Sequence, residues 1–269
     1  DCLIHCAGKT GDWGDPREFH QVNVQGTRNV IAACMKHGIG KIIFISTPSL
    51  YYNGKNRLGI SESDPLPERH LTAYARTKLA AENDLADFGR KGFKVITFRP
   101  RAVFGPHDNT FLPRILMMAN KKQFPLIGGG RALVDITCVE NLIDAVRCAI
   151  DAPDTAWNEV YNISNGDPIT IKEWFSRMLS FFGLEMIPKN IPLPMAKAMA
   201  LLSETSSRLP FGPKMPLLTR FSVGYMSRSM TMSIDKARRL LRYAPSIGNE
   251  EGFRRCAKWY QEHEPHLAD

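Results

Sequence analysis

Lys41-Ile-Ile-Phe-Ile-Ser46 is a short apolar run that is typical of a buried strand and that ends in a hydroxyl side chain. Similar runs precede and follow it, Asp1-Cys-Leu-Ile-His-Cys6 and Lys94-Val-Ile-Thr-Phe-Arg99. The segments between these runs, residues 19–36 and 72–91, carry apolar residues at helical spacing. Apolar strands that alternate with helices predict a parallel sheet covered on both faces, the doubly wound, Rossmann-like α/β fold. Such sheets bind ligands at the carboxyl ends of their strands.

The pattern loosens after Pro100. Helices are predicted at residues 111–120, 139–151, 171–182, 194–207 and 248–262, and short strands at residues 133–136 and 159–163. We therefore expect residues 1–150, with contributions from 151–165, to form the Rossmann-like dinucleotide-binding domain. Residues 166–269 are expected to form mainly a smaller, mostly helical substrate lobe.

Composition and charge exclude several classes of protein. The 269 residues carry a formal net charge of +8, but Lys and Arg are spread along the chain without a basic block that would follow a nucleic-acid backbone. We therefore predict no nucleic-acid partner. The six cysteines are scattered and form no paired Cys-x-x-Cys motifs, which predicts no metal site and reduced thiols in a cytoplasmic protein.

Membrane insertion is not expected from the apolar pattern. No apolar run reaches the roughly 18 residues that a membrane span needs, so we predict a soluble protein without a transmembrane helix. The apolar stretch at residues 194–209 is nevertheless a candidate for peripheral contact with a membrane.

The sharpest chemical signal is Tyr74-Ala-Arg-Thr-Lys78, in a predicted helix that Thr72 can cap. Side chains four residues apart lie on one helix face, and a nearby ammonium group lowers the pKa of a tyrosine. Tyr74 is then suited to exchange a proton with a carbonyl or an alcohol. Ser46-Thr-Pro-Ser49 adds hydroxyl groups at a strand end. Each pattern alone is more typical of a solvated helix face or a serine/threonine turn, but together they favour a catalytic site.

Five motifs occur in the order and at the intervals that are typical of one enzyme family. They are His5-Cys-Ala-Gly8, Asn23-Val-Gln-Gly-Thr27, Phe44-Ile-Ser-Thr-Pro-Ser49, Tyr74-Ala-Arg-Thr-Lys78 and Arg99-Pro-Arg-Ala-Val-Phe-Gly-Pro106. On these residues the chain resembles the extended short-chain dehydrogenase/reductases of the NAD-dependent epimerase/dehydratase superfamily. Within them it looks most like the 3β-hydroxysteroid dehydrogenase group, which includes sterol 4-carboxylate dehydrogenases and 2-alkyl-3-oxoalkanoate reductases.

The resemblance implies roles for individual residues. Tyr74 would be the general acid/base, Lys78 would lower its pKa and bind the nicotinamide ribose, and Thr47 would complete a catalytic triad, with Ser46 and Ser49 as rivals for that position. The residues expected to bind the cofactor are Ala7, Gly8, Asn23, Ser46, Tyr74, Lys78, Pro100, Ala102 and Val103. Those expected near the substrate are Ser49, His107 and Asn109; for the last two a simple loop role is an equal alternative. Arg114 is a candidate partner for a substrate carboxylate, and a solvated helix face explains it equally well.

The glycine-rich turn of this family follows its first strand, whereas the first strand of this chain resembles the fourth. The resemblance therefore implies that about 60 residues of the dinucleotide-binding βαβ segment precede Asp1. Gly8-Lys-Thr-Gly-Asp-Trp-Gly14 imitates the turn, but Asp12 and Asp15 would face a pyrophosphate. The segment that separates NAD from NADP would lie upstream, so the choice between the two coenzymes stays open.

The function implied by the resemblance is an NAD(P)-dependent oxidoreductase that interconverts a 3-hydroxy and a 3-oxo group on a hydrophobic substrate, sterol-like or 2-alkyl-3-oxoalkanoate-like. Two alternatives remain, a nucleotide-sugar epimerase or dehydratase and a non-catalytic NAD(P)-binding regulatory protein. By analogy with the family, a homodimer is expected through the helices at residues 19–36 and 72–91.

Overall fold

The computed structural model describes residues 1–108, 111–119 and 124–264. The strands, in chain order, are β1 (Cys2–His5), β2 (Lys41–Ile45), β3 (Arg57–Ile60), β4 (Lys94–Pro100), β5 (Val103–Phe104), β6 (Phe124–Ile127), β7 (Leu133–Val134), β8 (Thr137–Cys138), β9 (Glu159–Ile163), β10 (Ile169–Thr170), β11 (Pro188–Ile191) and β12 (Met230–Met232). The α-helices are α1 (Pro16–His20), α2 (Gly26–His37), α3 (Ala73–Arg90), α4 (Leu112–Ala119), α5 (Val139–Ile150), α6 (Ile171–Ser180), α7 (Leu193–Ser207), α8 (Arg220–Ser227), α9 (Asp235–Leu241) and α10 (Asn249–His263).

A parallel sheet with the strand order β1-β2-β4-β9 forms the centre of the fold. Side chains alternate across it, as the period of a strand requires. Ile42 and Phe44 of β2 pack with residues of α2 and α3 on one face, while Ile43 packs with residues of α5 and α9 on the other. Because both faces are covered, the doubly wound arrangement predicted from the apolar runs is confirmed.

The register of this sheet aligns the strand ends that matter for the site. Ile45, the last residue of β2, pairs with Phe98 of β4, and the amide of Ser46 donates a hydrogen bond to the carbonyl oxygen of Phe98. Parallel neighbours lie about 4.8 Å apart. The residues that follow β2 and those that end β4 therefore share one edge.

A second sheet, with the order β10-β7-β12-β3, brings the C-terminal part of the chain to this edge. β12 pairs in parallel with β3, and Tyr52 packs beside Met230, Phe221 and Tyr225. The aromatic rings of Tyr52 and Tyr225 lie 5.5 Å apart. Residues of α8 thus cover the segment that follows the carboxyl end of β2.

The helix predicted at residues 19–36 is interrupted. α1 and α2 are joined by a π-helical turn at Gln21–Gln25, in which the amide of Gly26 donates to the carbonyl oxygen of Gln21. Gly38, with φ 67°, ends α2 in the left-handed conformation that glycine adopts readily. The apolar period alone does not reveal the extra residue, because a π turn inserts it without breaking the helix.

Candidate active site

Tyr74 and Lys78 lie one turn apart near the start of α3. Thr72 fixes that start, since its hydroxyl accepts a hydrogen bond from the amide of Ala75 at 3.1 Å. Lys78 is only 3% exposed, and its Nζ donates to the carbonyl oxygen of Ile45 at 2.6 Å. The same Nζ lies 3.8 Å from the centroid of the Phe44 ring. The lysine thus binds the carboxyl end of β2 from the neighbouring helix.

Burial changes the acidity of both side chains. It lowers the pKa of Lys78 to about 8, an effect that the nearby Glu82 carboxylate opposes. It also raises the pKa of Tyr74, an effect opposed by a hydrogen bond between Tyr74 and Thr47. The sequence led us to expect a Tyr74 pKa lowered by Lys78. In this structure it is raised instead, because the burial of the phenol outweighs every opposing interaction.

Thr47 is held where β2 gives way to a short 3₁₀ helix, Pro48–Tyr51. Its hydroxyl accepts a hydrogen bond from the Ser49 amide at 3.2 Å and donates to the Ser49 hydroxyl at 3.0 Å. The Thr47 hydroxyl opposes the rise in the pKa of Tyr74, which favours Thr47 over its two rivals as the neighbour of the phenol. Ser49 supports Thr47, whereas the buried Ser46 hydroxyl has no hydrogen-bond partner among the described residues.

Asn23 joins the loop after β1 to α3. Its Oδ1 accepts from the Lys9 amide at 2.7 Å, and its Nδ2 donates to the Lys9 carbonyl oxygen and to the Thr77 hydroxyl, each at 3.0 Å. The side chain projects from the π-helical turn, so this irregularity positions a residue that the sequence places near the cofactor. Turns of this kind are frequent at functional sites.

The lack of a side chain at Gly8 keeps the exposed backbone close to Asn23 and Lys78. Ala7 and Gly8 follow β1 and are exposed. A Cβ added to Gly8 would lie 3.3 Å from Asn23 Oδ1 and 3.8 Å from Lys78 Nζ. A flat, polar group fits against this backbone within reach of the ammonium, as a nicotinamide riboside would. The residues present are therefore compatible with the cofactor that the resemblance implies.

Pro100, Ala102 and Val103 lie at the end of β4 on the same edge. Ala102 has φ 43°, a left-handed conformation that is unusual for a residue with a side chain. Thr137 holds the segment in place: its amide donates to the Ala102 carbonyl oxygen at 3.2 Å and its hydroxyl to that of Arg101 at 2.6 Å. The strained backbone is thus fixed by β8.

His107 lies on the same surface cavity as Val103. It is exposed, its ring is 4.2 Å from that of Trp259, and it lines a surface cavity of about 250 Å³ to which none of Thr47, Tyr74 and Lys78 contributes. Asn109 falls outside the described residues. Arg114 is exposed on α4. Within the described residues, neither His107 nor Arg114 forms a hydrogen bond or an ion pair with Thr47, Tyr74 or Lys78.

A buried ion pair that sequence reasoning missed lies behind Lys78. Arg99 Nε and Nη2 bind the two carboxylate oxygens of Glu82 at 3.0 and 2.5 Å, and Nη1 donates to the Tyr51 hydroxyl at 2.6 Å. Glu82 follows Lys78 by one helical turn. The pair therefore joins α3, β4 and the 3₁₀ helix into one support for the site.

No group of three or more His, Cys, Asp or Glu side chains is placed to hold a metal ion within residues 1–108, 111–119 and 124–264. Across the same residues, no helix is both long enough and apolar enough to cross a membrane.

Comparisons with known proteins give a family match and several similar chains. Residues 1–164 match the NAD dependent epimerase/dehydratase family. The chain is 32% identical over 266 residues to the 2-alkyl-3-oxoalkanoate reductase of Shewanella oneidensis, covering 95% of this chain and 69% of that protein. It is 33% identical over 268 residues to 3beta-hydroxysteroid-dehydrogenase/decarboxylase isoform 1 of Arabidopsis thaliana, covering 95% of this chain and 61% of the relative. In three dimensions it is similar to UDP-glucuronic acid 4-epimerase from Bacillus cereus in complex with NAD, with a TM-score of 0.74 and 22% identity over 97% of this chain and 73% of that one. At that identity the likeness concerns the fold.

Proposed function

This chain belongs to the NAD dependent epimerase/dehydratase family, and from that membership we propose that it interconverts a 3-hydroxy and a 3-oxo group on a hydrophobic substrate with NAD or NADP. It is an oxidoreductase that acts on CH–OH groups, as the names of its relatives indicate. The observation that carries the proposal is the convergence of Thr47, Tyr74 and Lys78 at one strand edge. The two relatives act, by their names, on a 2-alkyl-3-oxoalkanoate and a 3β-hydroxysteroid, which share a reacting oxygen on carbon 3.

In the proposed mechanism Tyr74 exchanges the proton. Its raised pKa keeps the phenol protonated near neutral pH, which suits the donation of a proton to a carbonyl oxygen during reduction. Thr47 would orient the phenol, and its hydroxyl proton, which is donated to Ser49 in this structure, would turn to the substrate oxygen or to the phenolate that remains. Lys78, largely protonated at pH 7, provides the positive charge that favours this phenolate. The nicotinamide, when bound, supplies or accepts the hydride.

We propose that the cofactor lies along Ala7 and Gly8, with Asn23, Ser46 and Lys78 around the ribose. Pro100, Ala102 and Val103 would then border the nicotinamide. The open backbone at Gly8 and the partnerless Ser46 hydroxyl support this placement. Ser49, His107 and Asn109 stay candidates for substrate contact, of which Ser49 has support from its bond to Thr47. Residues 166–269 would supply mainly the substrate lobe, which the packing of α8 on Tyr52 supports.

The proposal is tested by following the oxidation of NADH and NADPH by the full chain. The substrates are 2-alkyl-3-oxo acids, 3-oxosteroids and UDP-sugars, with Tyr74→Phe as the control. Tyr74-dependent turnover of a 3-oxo compound is expected. Conversion of a UDP-sugar alone would transfer the protein to the nucleotide-sugar epimerases. Binding of coenzyme without any turnover would favour the regulatory alternative.

We propose a peripheral contact with anionic membranes through an apolar surface on α7 and the segment that follows it. Its exposed residues are Met195, Met199, Leu201, Leu202, Leu209, Phe211, Met215 and Leu217. Exposed cations lie among them, Lys197, Arg208 and Lys214, and such a combination favours anionic lipid headgroups. The protein should float with vesicles that contain phosphatidylserine, and this binding should require the side chains of Phe211 and Leu217. Ile143→Ser on α5 is the matched control and should not change the binding. Absence of binding by the unaltered protein would refute this contact.

A homodimer and a cytoplasmic location are further proposals. α2 and α3 pack side by side and are linked by Arg28 and Asp84 at 2.8 Å, with Met35 exposed nearby. Light scattering should give twice the chain mass, and Met35→Asp should halve it; a monomeric mass for the unaltered protein contradicts the dimer.

The six free cysteines support a reducing compartment, which cell fractionation can test.

A further inference from the structure

Arg101 is a buried cation, two of whose guanidinium nitrogens lack hydrogen-bond partners among the described residues. The residue is 2% exposed, and its Nε and Nη1 have no partner among the residues that the structure describes. A buried guanidinium is normally paired, because the loss of hydration has to be offset by hydrogen bonds or by an opposite charge. A buried guanidinium with unpaired nitrogens therefore needs an explanation. A bound ligand that supplies the missing hydrogen bonds is one such explanation.

Asp135, the acid whose charge acts on Arg101, makes its hydrogen bonds to other groups. Asp135 is buried, but its Oδ2 accepts from the Met232 amide at 2.6 Å and its Oδ1 from the Ser164 hydroxyl at 3.4 Å. The two charges attract each other, which lowers the pKa of Asp135, but Nε and Nη1 of Arg101 have no hydrogen-bond partner among the described residues. Burial raises the pKa of Asp135 to about 6, so its charge is also weakened in mildly acidic solution. The charge of Arg101 therefore remains available to a ligand.

The position of Arg101 relates it to the catalytic hydroxyl groups. It directly follows β4, whose end lies beside the end of β2, where Ser46 and Thr47 are found. The guanidinium carbon lies 4.0 Å from the centroid of the Tyr225 ring, and that ring contacts Tyr52, which follows the 3₁₀ helix capped by Thr47. Arg101 thus lies between the catalytic edge and the helix α8 that covers it.

The backbone around Arg101 is held in one arrangement. Its amide donates to the carbonyl oxygen of Ile163 at 3.0 Å, and its own carbonyl oxygen accepts from the Thr137 hydroxyl. The next residue, Ala102, is in the left-handed region. Two neighbouring strands therefore fix the direction of the side chain, which is what a preformed binding site requires.

We propose that Arg101 binds a carboxylate of the substrate, so that the enzyme prefers 3-oxo acids to the corresponding neutral ketones and esters. This inference rests on the proposed function. In a 2-alkyl-3-oxo acid the carboxylate is two carbons from the reacting carbonyl, so one molecule can reach Tyr74 with its carbonyl and Arg101 with its carboxylate. Guanidinium groups are well suited to carboxylates, and the Tyr225 ring keeps the cation in place.

The test compares a 2-alkyl-3-oxo acid with its methyl ester, which keeps the reacting carbonyl and removes the charge. The unaltered full chain should prefer the acid, and Arg101→Gln should lower kcat/KM for the acid by about 10- to 100-fold, the range of a hydrogen bond to a charged group. The ester should change by less than about 3-fold. Arg101→Lys should recover part of the preference, since it restores the charge without the planar geometry.

Other results would overturn the inference in distinguishable ways. Equal use of acid and ester by the unaltered protein refutes the role of Arg101 and leaves the oxidoreductase intact. An equal loss for both compounds in Arg101→Gln assigns the residue to structure alone. If that variant does not fold, the comparison of acid and ester with the unaltered protein and with Arg101→Lys decides the question. Failure of both compounds with the unaltered protein would instead refute the proposed function.

Discussion

Lys78 Nζ lies 2.6 Å from the carbonyl oxygen of Ile45, a residue 33 positions earlier in the chain. Through this contact the buried ammonium group of Lys78, on α3, lies at the carboxyl end of β2, directly before Ser46 and Thr47. It connects the stability of the fold to the proposed chemistry, because the charge that we propose to favour a phenolate is also costly to bury.

Replacing Tyr74 by phenylalanine should remove turnover and spare coenzyme binding. The variant lacks the proton that the phenol donates, so kcat should fall by about 10²- to 10⁴-fold. The measurement is steady-state oxidation of NADPH or NADH, together with coenzyme binding by fluorescence. Tyr243→Phe is a matched control, because that buried hydroxyl donates to the Ser164 carbonyl oxygen away from the triad. Retention of more than a tenth of the activity in Tyr74→Phe would argue against its role.

Replacing Lys78 by methionine should raise the stability of the fold and lower the activity. The lowered pKa of about 8 means that the buried ammonium destabilises the fold, so the free energy of unfolding of Lys78→Met should rise by about 1–3 kcal/mol at pH 7. The unfolded chain holds this proton up to about pH 10.4, whereas the folded protein releases it near pH 8. The advantage of the variant is therefore complete below pH 8 and shrinks as the pH rises to about 10.

Urea unfolding from pH 7 to pH 10 measures this difference, and kcat/KM should fall by about 100-fold or more in the same variant. Lys197→Met, at an exposed position on α7, should change neither quantity. A stability difference that stays constant across this pH range would show that Lys78 does not titrate as stated.

Asn23→Ala should loosen the loop after β1. The variant leaves the Lys9 backbone and the Thr77 hydroxyl without their partner, which should lower the free energy of unfolding by about 2 kcal/mol. Because this loop is the proposed cofactor site, KM for the coenzyme should rise more than that for the substrate. Asn29→Ala, an exposed position on α2, is the control and should be close to neutral. An unchanged KM for the coenzyme would show that the hydrogen bonds of Asn23 do not support the cofactor site.

Glu82→Ala should be strongly destabilising. It leaves Arg99 buried with only the Tyr51 hydroxyl as a side-chain partner, and breaking a buried ion pair in this way costs about 3–5 kcal/mol. Changing both residues to apolar side chains should recover much of the loss, since no unpaired charge then remains. Asp87→Ala removes an exposed partner of Arg90 on the same helix and should change stability by less than about 1 kcal/mol. Thermal or urea unfolding of these three variants and of the unaltered protein provides the comparison.

Several elements of the site were predictable because they depend on local periodicity. The Thr72 cap and the shared helix face of Tyr74 and Lys78 follow from helix geometry. The seven residues from Thr72 to Lys78 are enough to predict both. The shared edge of β2 and β4 follows from the rule that parallel strands align their carboxyl ends. The raised pKa of Tyr74 was not predictable, because the sequence does not state how deeply that helix face is buried.

The sequence by itself determined the alternation of strands and helices, the order of the motifs and the hydroxyl, phenol and ammonium groups that meet at the edge. Only the tertiary structure decided that Lys78 binds Ile45, that Glu82 pairs with Arg99, and that Arg101 rather than the exposed Arg114 is a buried cation in need of a partner. The physical reason is that periodicity is a property of neighbours along the chain, whereas burial and charge compensation depend on segments that are distant in sequence and meet only when the chain packs.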